Sequence, residues 1–598
     1  MTGAGSDSPD ASGVAWNLDA FMPGGAAGAS AAGRGALSLA EAFARAHRTR
    51  VAGYDAERLR DVLEELERLQ ETLSAASAFA EFRFDADTEP PEHGALMSEM
   101  EETAAAVETL TTFFDLEWLA IDDARAAELL DDPALERYAH MLRVLRAFKP
   151  HRLTEPEEQI LTQKAVTGVE AWRRLLEEQI SSIKIDLDGD QLALPEAIAR
   201  MSSDDREQRR RAAEAISAAL APGLRTRTQT FNVILADHAL DDRLRHFPHW
   251  LAELNLENEA SDESVKALVD AVVARYDIPQ RWYRIKARAL GLDRMADYDR
   301  PAPVAGPPPR ITWAKARELV VASYSGFSEE LGAQAERFFT QRWIDAEPRA
   351  GKIPGAYCAP TVPDANPYVL VNFAGRTEDV LALAHEIGHG LHFLLAAPRG
   401  LLQMSAPVTV SETASVFGET LMFAHLLALA EDPAARFGLL AQQLDDAVGT
   451  VFRQVAIHRF EDAVHRERRE HGELSAERIS EHWVQANAEM FGDTVEITEG
   501  YRLWWSHISH VFSTPGYVYG YAYGQLLALS IYARYLEQGD DFVPSYLELL
   551  SAGGSRPPAE LAQIVGVDPT DPGFWDTGLG LIDRRLEETE AASVAVAR

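Results

Sequence analysis

Residues 380–391 read VLALAHEIGHGL. Val380, Leu381, Leu383, Ala384, Ile387 and Leu391 recur at helical spacing, so the stretch predicts a core helix. Into it the sequence sets His385, Glu386 and His389. Ionisable groups in an apolar helix are costly unless they are paired or bind metal. Imidazoles at i and i+4 lie on one helical face, close enough to share an ion. Glu386, between them, is a carboxylate that can take a proton from water beside that ion.

A two-histidine site needs a third ligand. Glu412, in Ser411-Glu412-Thr413-Ala414-Ser415, follows His389 by 23 residues, room for a helix end, a loop and a second helix. Glu419 comes seven residues later, on the same helical face. One of the two is expected to ligate and the other to hydrogen-bond a ligand imidazole. Spacing alone prefers Glu412. His392 is too near His389 on one helix and reads as a packing residue. Two His and one Glu leave a position for water, the pattern of a catalytic rather than a structural zinc site. Manganese or cobalt also suits such a donor set.

Upstream, Gly351 to Phe373 breaks the helical rhythm with glycines and prolines, then runs Tyr368-Val369-Leu370-Val371-Asn372-Phe373, a predicted strand. Such a strand either offers its edge to an extended peptide or only packs on the helix. Elsewhere helices dominate. Asp55 to Ser74 carries a stripe of Leu59, Val62, Leu63, Leu66 and Leu69, and Ala134 to Phe148 and Glu157 to Ile180 repeat it. Ile183 to Leu194, with Asp-Gly at its turn, predicts a hairpin. Pro301 to Arg310 predicts a surface loop, and helices resume from Trp313 to Trp343.

The segment His507 to Gly524 sets two histidines and four tyrosines among glycines. Phenols and imidazoles are suitable donors to the oxyanion of a tetrahedral intermediate. An aromatic core cluster is the plainer reading of the same residues.

The chain has 598 residues, 46% of them hydrophobic, and a net charge of −37. That charge argues against nucleic acid or anionic membranes as partners. No apolar run of about 18 residues is seen, so no membrane span is expected. A single cysteine, Cys358, suits a reducing compartment, and a cytoplasmic location is the expectation. The Gly-, Ala- and Ser-rich beginning lacks the basic and apolar regions of a secretory signal and reads as a disordered tail.

Four stretches together carry a resemblance: GAYCAPTVPDANPYVLVNF, AHEIGHGLH, SETASVFGE and HVFSTPGYVYGYAYG. They resemble the oligoendopeptidase F branch of the M3 family of zinc metallopeptidases. WNLDAF near residue 16, LTEPEEQILTQKAVTGVEAWRRLLEE and YLELLSAGGSRPPAELAQIVGVDPTDPGFW extend the likeness over nearly the whole chain. It implies a mainly α, two-lobed metallopeptidase with a deep substrate channel and a small β element near the active site. It further implies a tail at 1–15, an N-terminal helical region at 16–193, a catalytic region at 194–590 and a C-terminal tail at 591–598. One zinc ion per chain would be held by His385, His389 and Glu412, with Glu386 as general base and Glu419 in the outer shell. His510 and Tyr517 would assist the intermediate, with Tyr521 near the substrate. Repeats in this segment leave His507 against His510, and Tyr517, Tyr519 and Tyr521 against one another, open. The implied activity is hydrolysis of internal bonds in short unstructured peptides. A related carboxypeptidase and a non-catalytic peptide-binding protein are the alternatives weighed. Oligomeric state is not legible.

Overall fold

The computed structural model describes residues 11–306, 310–571 and 573–596. It is overwhelmingly helical, with three small sheets among the described residues. The chain forms two compact units. The first comprises Met1–Lys149, Pro308–Ala428 and Ile531–Asp568, and the second Pro150–Pro307, Leu429–Ser530 and Pro569–Arg598. These packing units cut across the linear division at residues 193 and 194.

In the first unit, the helix Ala56–Ala86 starts at Asp55, whose carboxylate accepts the Arg58 amide at 2.9 Å. Its expected stripe is the buried one: Leu59, Val62, Leu63, Leu66 and Leu69 pack with Phe43, Phe114, Trp118 and Tyr138. The first ten residues of the expected tail lie outside the described residues. Ala11 is buried, and the carbonyl of Val14 accepts the Ala346 amide at 3.0 Å, so packing begins before Trp16.

Trp313 to Trp343 becomes two helices, Trp313–Phe327 and Glu329–Thr340, because the Ser328 hydroxyl caps the second by accepting from the Leu331 amide. The predicted strand forms as Tyr368–Leu370, shorter than expected. It is the middle of three, parallel to Ile344–Asp345 and antiparallel to Tyr357–Ala359. Both its edges are thus paired within the sheet, so it cannot offer one to a peptide. The open edge belongs to Tyr357–Ala359.

The helix Thr377–Ala396 follows, then a turn, then the helix Val408–Leu429. By length and composition the stretch Thr377–Arg399 is apolar enough to cross a membrane, although polar residues interrupt its apolar run. It is a core helix here, with 61% of its most apolar stretch buried.

In the second unit the hairpin pairs Lys184–Leu187 with Asp190–Ala193. Asp188 and Gly189 both take positive φ, 57° and 92°, as a two-residue turn of this kind requires. The helix predicted over Glu157 to Ile180 is two, Glu155–Ala165 and Val169–Ser182, interrupted near Gly168. Residues 307–309 of the predicted loop lie outside the described residues. The C-terminal helix runs Phe574–Val596, through most of the expected tail.

Candidate active site

His385, Glu386 and His389 all lie on Thr377–Ala396, and Glu412 and Glu419 on Val408–Leu429. What brings the two helices together is Gly388. A Cβ there would stand 2.5 Å from the Ala414 carbonyl oxygen and 2.7 Å from Ser415 Cα. Gly418 similarly leaves room for the Tyr324 hydroxyl, which donates to the carbonyl of Ala384 at 2.7 Å. These contacts escape a reading of ligand spacing, which treats the residues between ligands as filler.

Three donor atoms converge. One each from His385, His389 and Glu412 lie within 4.8 Å of one another. Glu412 Oε2 is 3.5 Å from His385 Nε2 and 3.7 Å from His389 Nε2. The Ser415 hydroxyl donates to the same carboxylate oxygen at 2.7 Å. Glu419 faces the opposite nitrogen: its Oε2 lies 3.1 Å from His385 Nδ1. A proton on Nδ1, donated to that carboxylate, leaves the Nε2 lone pair facing Glu412 and His389. Two imidazole nitrogens and one carboxylate oxygen fit a divalent ion such as zinc. His392 points into the core, and its Nε2 makes no hydrogen bond among the described residues.

The electrostatics follow from burial and crowding. Burial opposes charge on His385, but the Glu419 hydrogen bond and the charges of Glu386, Glu419 and Glu412 prevail and push it up to about 9. His389 is pushed down to about 4 by burial and the nearby His385 charge, against the pull of Glu412. Glu386 is only 8% exposed, and burial, with Glu412 nearby, pushes it up to about 7 despite His385. The Cys358 amide, in the edge strand Tyr357–Ala359, lies near the Glu386 carboxylate and favours its charged form. Burial and the Glu386 charge push the Cys358 thiol well up, so it stays protonated.

The tyrosine segment forms no strand. A short helix, Ser509–Ser513, is followed by a turn and the helix Tyr519–Gln538. His510 and Tyr517 stack with centroids 6.0 Å apart and planes 6° from parallel. Tyr521 stands edge-on to Tyr517 at 5.3 Å, and its hydroxyl is 3.3 Å from His510 Nε2. Tyr519 turns inward, is buried, and accepts from Asn258 Nδ2 at 3.0 Å. His507 packs on Trp504 instead, and burial pushes it down to about 4. His510, Tyr517 and Tyr521 therefore form one group, and His507 and Tyr519 stand apart from it.

Comparison with known proteins adds an independent line. Residues 320–581 match the model for peptidase family M3, and residues 117–185 match that for the Oligopeptidase F N-terminal region. Together these span more than half of the chain. Oligopeptidase PepF of Bacillus subtilis is 26% identical over 90% of this chain and 81% of its own length. Group B oligopeptidase PepB of Streptococcus agalactiae is 25% identical over 87% and 88%. A crystal structure from Chlamydophila abortus superposes with a TM-score of 0.86 at 23% identity, covering 97% of this chain and 98% of that one. Oligoendopeptidase F from Enterococcus faecium gives 0.70 at 22% identity, covering 93% and 97%. The chain belongs to peptidase family M3, in its oligoendopeptidase F branch, and is a metalloendopeptidase.

Proposed function

We propose that this chain is a zinc-dependent endopeptidase that cuts internal bonds of short unstructured oligopeptides, with Glu386 as general base. The convergence of His385, His389 and Glu412 donor atoms within 4.8 Å, with Glu386 on the same helix, carries the reading. His385, His389 and Glu412 would hold one zinc ion, which when bound supplies a Lewis acid and lowers the pKa of water to about 7.

The remaining chemistry belongs to side chains. Glu386 accepts a proton from the attacking water and returns it to the leaving amine. Burial of Glu386 disfavours the charged carboxylate and so favours uptake of that proton. Glu419 fixes the His385 ring through Nδ1. His510 and Tyr517 donate to the carbonyl oxygen as it gains charge, with Tyr521 beside them. The open edge of Tyr357–Ala359 offers main-chain pairing to an extended peptide. A cytoplasmic location, supported by the single cysteine, belongs to the same reading.

The test is turnover of internally quenched peptides of graded length by protein of known metal content, with cleavage positions read by mass spectrometry. Internal cuts that stop with chelation and return with zinc are expected. Release of single C-terminal residues, or no turnover at full zinc occupancy, would overturn the reading.

A further inference from the structure

Glu461 is a buried carboxyl with no cation paired to it among the described residues. It lies on the helix Arg453–His471 and is 0% exposed. Its Oε1 accepts the backbone N–H of Gly516 at 2.9 Å. Its Oε2 has no hydrogen-bond partner among the described residues. A carboxyl so placed is costly, and an apolar side chain would fill the position more cheaply. The Gly516 contact is therefore the clue to its presence.

That contact lies next to Tyr517. Gly516 has φ of +85°, and a Cβ on it would stand 2.5 Å from Leu251 Cδ1 and 3.2 Å from Leu254 and Trp250. The turn is pressed on those side chains and tied to Glu461 through its amide. Two residues beyond Tyr517, the bond between Tyr519 and Asn258 makes a second buried tie. Between these ties only Tyr517 and Val518 intervene; Val518 is buried, while the Tyr517 ring stacks on His510.

We propose that Glu461 is a positioning residue: through the Gly516 amide it sets the direction of the Tyr517 phenol. This rests on the role given to Tyr517 above. Burial pushes Glu461 up to about 8, against the Gly516 hydrogen bond, so its proton stays on at neutral pH and glutamine is a close mimic.

The experiment compares kcat, KM and zinc content of the zinc enzyme for Glu461→Leu, Glu461→Gln, Tyr517→Phe and the double variant Glu461→Leu/Tyr517→Phe. Leucine removes the acceptor, and kcat should fall about 10- to 100-fold, the scale of an ångström of misplacement, with KM and zinc content within about 3-fold of wild type. Glutamine keeps the acceptor and should restore kcat to within about 3-fold. In the double variant the leucine should cost nothing beyond Tyr517→Phe, since it acts through the phenol. A slow Tyr517→Phe beside a wild-type kcat in Glu461→Leu would overturn the positioning role alone. So would additive losses, which mark a general structural effect. Tyr517→Phe at wild-type rate would overturn the role of Tyr517 and this inference with it. If Glu461→Leu does not fold, Glu461→Met, unbranched and adaptable, makes the same comparison.

Discussion

Glu386 and Glu419 are both carboxylates beside the same imidazole, yet their surroundings separate their tasks. Glu386 is buried and is pushed up to about 7. Glu419 is more exposed and faces His385 Nδ1. Replacing Glu386 by glutamine keeps the shape and removes the base. The expected result is at least about a 1,000-fold fall in kcat with stoichiometric zinc retained, the scale for deleting a central catalytic group. Near-wild-type turnover with full zinc would sink the assignment. Glu419→Ala should instead act on the metal, weakening zinc affinity by about 10- to 100-fold as the His385 ring loses its anchor. Competition with a chelator of known affinity reads this directly, and an unchanged affinity would remove Glu419 from the site. The sequence placed Glu412 and Glu419 on one helical face. It could not say which faced Nδ1, because that depends on the approach of a second helix.

At the scale of elements, that approach is governed by Gly388. The atoms a Cβ would meet belong to the backbone of Val408–Leu429, at 2.5 Å and 2.7 Å, and backbone cannot rotate aside. Gly388→Ala must push the helices apart. A loss of about 1–3 kcal/mol in stability is expected, the usual cost of overpacking, together with weaker zinc binding as Glu412 recedes. Thermal unfolding and zinc titration check the two effects, and a variant unchanged in both would show that the helices are not held at contact distance. The histidine helix itself was legible because its apolar spacing, ligand spacing and length all agree. The glycine was not, since its meaning lies across space in residues 414 and 415. The strand Tyr368–Leu370 was legible for the same local reason, but its central place required knowing that Ile344–Asp345 and Tyr357–Ala359 flank it.

On the scale of the whole molecule, each packing unit gathers three separated stretches of chain, which no local period encodes. The charge of −37 was legible, but it describes mostly the surface; the pH response depends on a few buried groups whose burial only the fold reveals. In the second unit, burial pushes Glu461 up to about 8 and Glu253, with Glu257 beside it, up to about 7. Burial also pushes His458 and His507 down to about 4. The signs differ. A histidine held below its unfolded value of about 6.5 stabilises the fold above that pH and loses the contribution as pH falls toward 4. A glutamate held above its unfolded value contributes fully below about 4.5 and loses the contribution as pH rises through its folded value. From pH 4.5 to 6.5 the two sets oppose each other. Above 6.5 the histidines lose their remaining protons in the unfolded chain, and toward pH 8 the glutamates set the slope. Each of these glutamates should therefore lower stability over that interval, by up to about 1.4 kcal/mol per pH unit for the proton it releases on unfolding. Glutamine at position 461 removes one titrating group while keeping the Gly516 contact, so the decline should be shallower in Glu461→Gln. Denaturant unfolding at pH 6.5, 7.25 and 8 measures both slopes, and identical slopes would mean that Glu461 is already ionised in the folded protein at neutral pH.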